Sequence, residues 1–401
     1  MTTLTIQFNA MSGQRPPKYT LPIIIFAQFT GTSLWFAGNA VLPDLQAAYQ
    51  LPESALGGLT SAVQLGFITG TLLYAVFLLA DRFSPSRVFL FSAILGALFN
   101  LGIGVVATDY ASILALRFLT GLFLAGIYPV GMKIAADWYA ADLGKALGYL
   151  VGALVLGTAF PHLLRFTATE VPWQRVMQGT SLLAVLGGLS IWWMIPDGPY
   201  RKPGKAFNPS AVAAIFRIPD FRAAALGYFG HMWELYAFWA FVPLILATRF
   251  PELSPHLLSF YAFGVIGIGA LGCILGGYWS MKTGSARVAS GMLLVSGMVC
   301  LGSPLLLGLP AWLFILLLLL WGFAVVGDSP QFSTLVARNA PAESRGSALT
   351  IVNSIGFAIT IFSIQGLNYL SEQWGISNSL WILTFGPVLG LIATRRLIRG
   401  N

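Results

Sequence analysis

Glu234 stands in the middle of a long apolar stretch, GYFGHMWELYAFWAFVP, with His231 one helical turn before it. At that spacing both side chains lie on one face of a helix. A carboxyl and an imidazole held in apolar surroundings are suited to loading and releasing a proton. A static polar contact that pins the helix to a neighbour is the other reading of the pair. Asp328 and Gln331 lie in WGFAVVGDSPQFSTL, on the same helical face as Trp321 and beside Pro330, which removes a backbone donor. Asp328 is therefore a second proton or cation site, or a partner for backbone groups loosened by the proline. Arg117 opens a third apolar stretch, ASILALRFLTGLFLAG. Its planar fork suits an anionic group, whereas snorkelling to a nearby interface would need no function.

Such residues make chemical sense only once their surroundings are known. Asp, Glu, Lys and Arg form only 9% of the 401 residues and apolar types 57%, against about 25% charge in soluble domains. Apolar runs of about 20 residues, long enough to span a bilayer as helix, recur throughout. They fall near 21–42, 55–79, 88–107, 111–136, 145–164 and 177–196, then 222–247, 257–279, 288–308, 312–336, 347–370 and 378–394. The expected fold is an all-α integral membrane protein of twelve transmembrane helices. A charge at a helix centre costs about 2.5 to 3.5 kcal/mol on insertion scales, so each of the three charged positions needs a partner or a wet cavity.

Orientation follows from the basic residues. Of 22, Arg165, Arg175 and Arg249 fall in loops on one side and Arg117 and Lys133 within spans, leaving 17 on the other side. The positive-inside rule then puts both termini in the cytoplasm of a multi-pass protein of the cytoplasmic (inner) membrane. The scattered +8 charge gives no reason to expect nucleic acid. No cleaved signal peptide is expected in the first twenty residues. Cys273 and Cys300, both in apolar runs, read as small buried hydrophobes.

The spans repeat. LADRFSPSRV (Leu79 to Val88) aligns with WSMKTGSARV (Trp279 to Val288) at an offset of 200, Pro43 with Pro243, and GLFLAGIYP (Gly121 to Pro129) with GFAVVGDSP (Gly322 to Pro330) at 201. Two parallel six-helix repeats are implied, 1–196 and 222–401, joined by a basic cytoplasmic linker 197–221 whose short amphipathic piece, 210–217, suits a membrane interface. Parallel repeats about an axis normal to the membrane are a transporter architecture.

Together with Asp81, Arg82 and Arg87 in the first loop and Lys282, Gly284 and Arg287 in its copy, this arrangement resembles the major facilitator superfamily along the whole chain. Phe77, Ser84, Ser86 and Met281 depart from that family's loop pattern. The resemblance implies that these six residues gate the cytoplasmic side, with Asp81 accepting a contact from the other half. It also implies that spans one, four, seven and ten line a central cavity, with Arg117 facing it. Gln28, Thr32, Trp35 and Asn39 on span one, Tyr128 on span four, Trp233 and Tyr236 on span seven, Gln331 on span ten and Asn353 on span eleven are then candidate solute contacts, and His231, Glu234 and Asp328 the proton-coupling set. Gly148, Gly152, Gly157 and Pro161 on span five loosely resemble the glycine-proline motif of the family's antiporters, but Gly148 and Gly152 read better as a close-packing pair. A fainter likeness to the nitrate and cyanate branch lacks its arginines in spans two and eight. Lys133 and Asp137, at i, i+4 spacing, read as a local ion pair.

The expected function is proton-coupled secondary transport of a small organic solute by alternating access, as a monomer among membrane lipids. Alternatives are drug or metabolite efflux by proton antiport, and a receptor or scaffold that translocates nothing. No nucleotide-binding loop, catalytic constellation, metal-ligand cluster or cofactor motif is legible, so neither an enzyme nor an ATP-driven pump is expected.

Overall fold

A computed structural model describes residues 16–139, 143–167, 172–201, 214–341 and 345–399. Arg15, Lys202, Lys205 and most of the expected linker, including 210–213 of its amphipathic piece, lie outside them. Among the described residues there is helix and no strand, as a chain with few polar side chains requires in lipid, where each backbone group needs a partner within its own segment. Among the described residues ten helices are long and apolar enough to cross a membrane, and two shorter apolar ones, Thr20–Thr32 and Ser285–Leu301, fall where spans one and nine are expected. Large apolar side chains such as Trp193, Trp312, Phe362 and Leu389 remain exposed on these helices, an outer surface suited to lipid rather than water.

Several expected spans are interrupted. Span one stops at Thr32 and resumes as the short helix Ala37–Ala40. Span four divides into Tyr110–Leu124 and Tyr128–Trp138, with Pro129 at the start of the second piece. Span ten divides at Asp328 into Ala311–Gly327 and Ser329–Asn339, again with a proline in the first turn. A proline is tolerated there because the first-turn N–H groups have no intrahelical acceptor. Span seven, by contrast, is one helix from Pro219 to Arg249 despite Pro243. Asp109 starts Tyr110–Leu124 as its cap: the Ser112 N–H donates to Oδ1 at 2.8 Å. That bond and the Ser112 hydroxyl hold the Asp109 carboxyl below its usual range.

Glycines set the closest helix contacts. A Cβ on Gly66 would lie 1.9 Å from Phe118 O and one on Gly121 2.0 Å from Val63 O, so Ala55–Val76 and Tyr110–Leu124 touch backbone to backbone. The second set repeats the device, with a Cβ on Gly322 falling 1.9 Å from Val265 O. Gly121→Ala is therefore expected to force these helices apart and to remove the monodisperse peak in detergent gel filtration. Gly148→Ala is expected to leave it unchanged, since no atom lies within 4 Å of a Cβ there. The close-packing pair read from Gly148 and Gly152 is corrected accordingly. On that helix Gly157 makes the tight approach, where a Cβ would lie 2.3 Å from Phe29 O.

The helices up to Met194 pack largely among themselves, as do those from Pro219 on. They meet where Leu143–Thr167 packs on Pro255–Gly267 and Gly269–Thr283, and where Ala55–Val76 packs on Arg345–Trp374. Polar contacts join the two sets: Gln365 Nε2 donates to Ser61 Oγ at 2.8 Å, the Tyr149 and Tyr278 hydroxyls meet at 3.2 Å, and His256 Nδ1 lies 2.9 Å from Arg165 O.

Candidate functional site

The helix Pro219–Arg249 is enclosed along most of its length, and Glu234 is buried within it. Ser296 and Cys300, one turn apart on Ser285–Leu301, and Trp321 on Ala311–Gly327 converge on its carboxyl. Trp321 Nε1 donates to Oε1 at 2.5 Å and the Cys300 thiol to the same oxygen at 3.1 Å, while Ser296 Oγ lies 3.0 Å from Oε2. A carboxyl buried among apolar side chains needs such donors to offset the loss of its hydration. Cys300, expected to be an inert filler, thus contributes a donor.

One turn earlier on the helix, His231 Nδ1 sits 2.7 Å from Asp328 Oδ1, both side chains being buried. Among the described residues His231 Nε2 and Asp328 Oδ2 have no hydrogen-bond partner. This is a close polar contact with spare donor and acceptor capacity. Trp321 and Asp328, expected on one face, both turn toward the Pro219–Arg249 helix. Asp328 also occupies the break in span ten, where its carbonyl accepts from the Gln331 and Phe332 amides.

Arg117 is fully buried. Its Nη1 donates to Leu34 O at 3.1 Å and Nη2 to Trp35 O, while Nε has no partner. The interruption of span one after Thr32 exposes those carbonyls, and a cation at a helix C-terminus is favoured by the helix dipole as well. Where the resemblance placed Arg117 facing a solute, the fold occupies its fork with backbone.

Trp35 lies where the two sets of spans meet. Its ring centroid is 4.7 Å from Phe67, 5.5 Å from Phe357 and 5.6 Å from Tyr236. Phe36 continues the cluster to Trp239 at 6.3 Å. Sequence reading found Trp35 and Tyr236 but missed Phe36, Phe67, Trp239 and Phe357. The pairing of Phe36 with Trp35 and the three-residue step from Tyr236 to Trp239 were the available signals. Trp35 and Trp239 each keep a buried Nε1 without a partner.

The remaining candidates separate. Gln28 is buried against Gly131, with neither amide atom satisfied, and Thr32 Oγ1 donates back to its carbonyl at 2.7 Å. Asn39 Nδ2 donates to Thr60 Oγ1 at 2.7 Å within the first set. Trp233 Nε1 donates to Ile382 O at 3.1 Å and packs toward the last helix rather than beside Tyr236. Tyr128 and Asn353 are half-buried. Gln331 lines a cavity of about 290 Å³ with Lys145, Tyr149, Tyr278, Ser285 and Thr334. Among the described residues no three His, Cys, Asp or Glu side chains are grouped to hold a metal ion.

In the loop after span two Asp81 pairs with Lys133 of the Tyr128–Trp138 helix at 2.9 Å, rather than with a residue after the linker. Lys133 reaches its expected i+4 partner Asp137 only at 3.9 Å. The Asp81 carbonyl accepts from Arg201 Nη2 at 3.0 Å, and Arg201 also pairs with Asp197, which accepts from Ser84 Oγ at 2.7 Å. The segment after span six thus clasps the loop. Arg82, Arg87, Lys282 and Arg287 are exposed, and Gly284 turns its loop at φ +86°, a conformation that needs glycine.

The architecture is that of known transporters. A bacterial homolog of the human lysosomal transporter Spinster, solved inward-facing and unoccupied, superposes with a TM-score of 0.73 over 95% of this chain and 97% of its own at 14% identity. The Escherichia coli fucose:proton symporter gives 0.67 over 95% and 99% at 16%. In sequence, the 3-(3-hydroxy-phenyl)propionate transporter of E. coli is 26% identical over 57% of this chain, a match spanning 55% of that protein's length. The 4-hydroxybenzoate transporter of Pseudomonas aeruginosa is 22% identical over 94% of this chain and 90% of its own. A polyamine transporter of Saccharomyces cerevisiae is 30% identical over 40% of this chain and 23% of its own length. The profile of the Major Facilitator Superfamily matches residues 24–364. This multi-pass membrane chain belongs to the Major Facilitator Superfamily.

Proposed function

We propose that the protein is a proton-coupled secondary transporter of the cytoplasmic membrane, with twelve spans in two halves, 1–196 and 222–401, both termini inside, moving a small organic solute by alternating access. One observation carries the coupling: Glu234 and the His231–Asp328 pair are ionisable groups buried together in the second half. Acids at membrane depth are costly and persist where they are used. The two relatives named above for aromatic acids and the ring cluster of Trp35, Tyr236, Trp239 and Phe357 at the junction of the halves favour an aromatic carboxylate as the solute. Stacking and edge contacts between rings suit such a cargo.

The test uses purified protein in proteoliposomes with labelled 4-hydroxybenzoate and 3-(3-hydroxyphenyl)propionate, and a pH gradient imposed in either direction. One pH unit supplies about 1.4 kcal/mol per proton, a tenfold solute gradient. Wild-type protein is expected to accumulate solute under one polarity. Glu234→Gln is expected to exchange solute across the membrane at the wild-type rate while its accumulation falls to that of vesicles without a gradient. Wild-type uptake indifferent to both polarities would falsify proton coupling.

A further inference from the structure

The two halves can be compared position by position through the sequence offsets of 200 and 201. Glu234 and Ser296 then correspond to Leu34 and Gly96, and His231 and Asp328 to Gly31 and Ile127. The counterparts meet in the same way. A Cβ on Gly96 would lie 3.2 Å from Leu34 Cδ1, where Ser296 Oγ faces Glu234 at 3.0 Å. One on Gly31 would lie 2.6 Å from Ile127 Cγ2, where His231 faces Asp328 at 2.7 Å. The first half closes both contacts with apolar groups, so packing of this fold does not require the ionisable set.

Hydrogen counting at Glu234 shows what that set allows. Ser296 has one hydroxyl proton and two acceptors in reach, Glu234 Oε2 at 3.0 Å and Leu293 O at 3.2 Å. With the proton on Oε2, Glu234 donates to Ser296 Oγ and the Ser296 hydroxyl donates to Leu293 O. When that proton leaves to water, the hydroxyl turns to donate to Oε2, and the carboxylate is held by Ser296, Cys300 and Trp321. Both states are satisfied by one set of heavy-atom positions, with only a hydroxyl rotation between them.

We propose that Glu234 and Ser296 form a two-state proton site that belongs to the second half alone and lies apart from the solute wall. It rests on the proton-coupled reading above. The separation is geometric. Tyr236 is two residues from Glu234, about 200° around the helix, and faces Trp35 of the first half, whereas Glu234 faces Ser285–Leu301. From its own helix the titratable neighbour is His231, from Ser285–Leu301 it is Cys300, and from the span-ten segment it is Asp328, already paired with His231. From the last helix, Phe385–Arg399, the buried polar group is Thr394, which bonds Ser290 at 3.1 Å.

The first half supplies the test: Glu234→Leu with Ser296→Gly installs in the second half the pair that already packs in the first. Full-length variant and wild type are compared in proteoliposomes with 4-hydroxybenzoate, by exchange and by accumulation under a pH gradient. The variant is expected to fold and to keep wild-type exchange, while accumulation drops at least about tenfold, the gradient that one pH unit sustains per proton. Glu234→Gln with Ser296→Ala, closer to the native shapes, is read identically should the first variant fail to fold. A folded variant that still accumulates solute overturns the proposal alone, as does one with a wild-type melting profile that loses exchange together with accumulation. Wild-type protein that exchanges solute but ignores the gradient overturns the proton-coupled reading and this proposal with it.

Discussion

Arg117→Leu is expected to lower the thermal stability of the detergent-solubilised protein more than any other single loss of charge. The substitution removes both donors to Leu34 O and Trp35 O, and each buried carbonyl left without a partner costs about 1 to 3 kcal/mol. The expense of placing a guanidinium in the membrane does not offset this, because an inserted but unpacked chain bears it as well. Arg117→Lys should fall between, since one ammonium cannot reproduce a planar fork spanning two carbonyls. Thermal unfolding followed by tryptophan fluorescence gives the comparison. An Arg117→Leu protein as stable as wild type would mean that the break in span one is satisfied by other groups, freeing Arg117 for a solute.

Trp35→Ala is the second large effect. The indole packs against Phe67 on Ala55–Val76, Tyr236 on Pro219–Arg249 and Phe357 on Arg345–Trp374, so it seals the junction between these helices as well as filling it. Truncating a buried tryptophan costs about 3 to 5 kcal/mol where the site cannot collapse, and collapse here would require the halves to move. Reduced melting temperature and faster passive entry of solute into proteoliposomes are expected together. Trp193→Ala, whose indole is exposed, serves as the control and should change neither.

The fold was legible because its signals are long and repetitive. Apolar runs of bilayer length recur along the chain, and each survives boundary errors of several residues. Glu234, His231, Asp328 and Arg117 were legible for the opposite reason, being single violations of an otherwise apolar pattern. What each contacts was not legible. Apolar periodicity cannot show that span one breaks at Thr32, and without that break the carbonyls that occupy Arg117 are invisible. Nor can it show which of several buried rings converge, so Phe36, Phe67, Trp239 and Phe357 passed as ordinary core residues. Cys300 and Ser296 are common types in such helices, and only the approach of Ser285–Leu301 to Glu234 distinguishes them. Asp81 showed a limit of motif reading. The loop pattern located the acid, whereas its partner, Lys133 of the same half, depends on how the Tyr128–Trp138 helix ends beside it.

Coupling of solute movement to proton movement is the claim on which the functional account stands. It is tested most directly by enclosing a pH-sensitive dye in proteoliposomes with no imposed gradient, adding 4-hydroxybenzoate outside, and subtracting the signal of protein-free vesicles. A lumenal pH change that rises with solute uptake is expected in wild-type protein and is expected to be abolished in Glu234→Gln. Solute entry through the wild-type protein with no change in lumenal pH would contradict it.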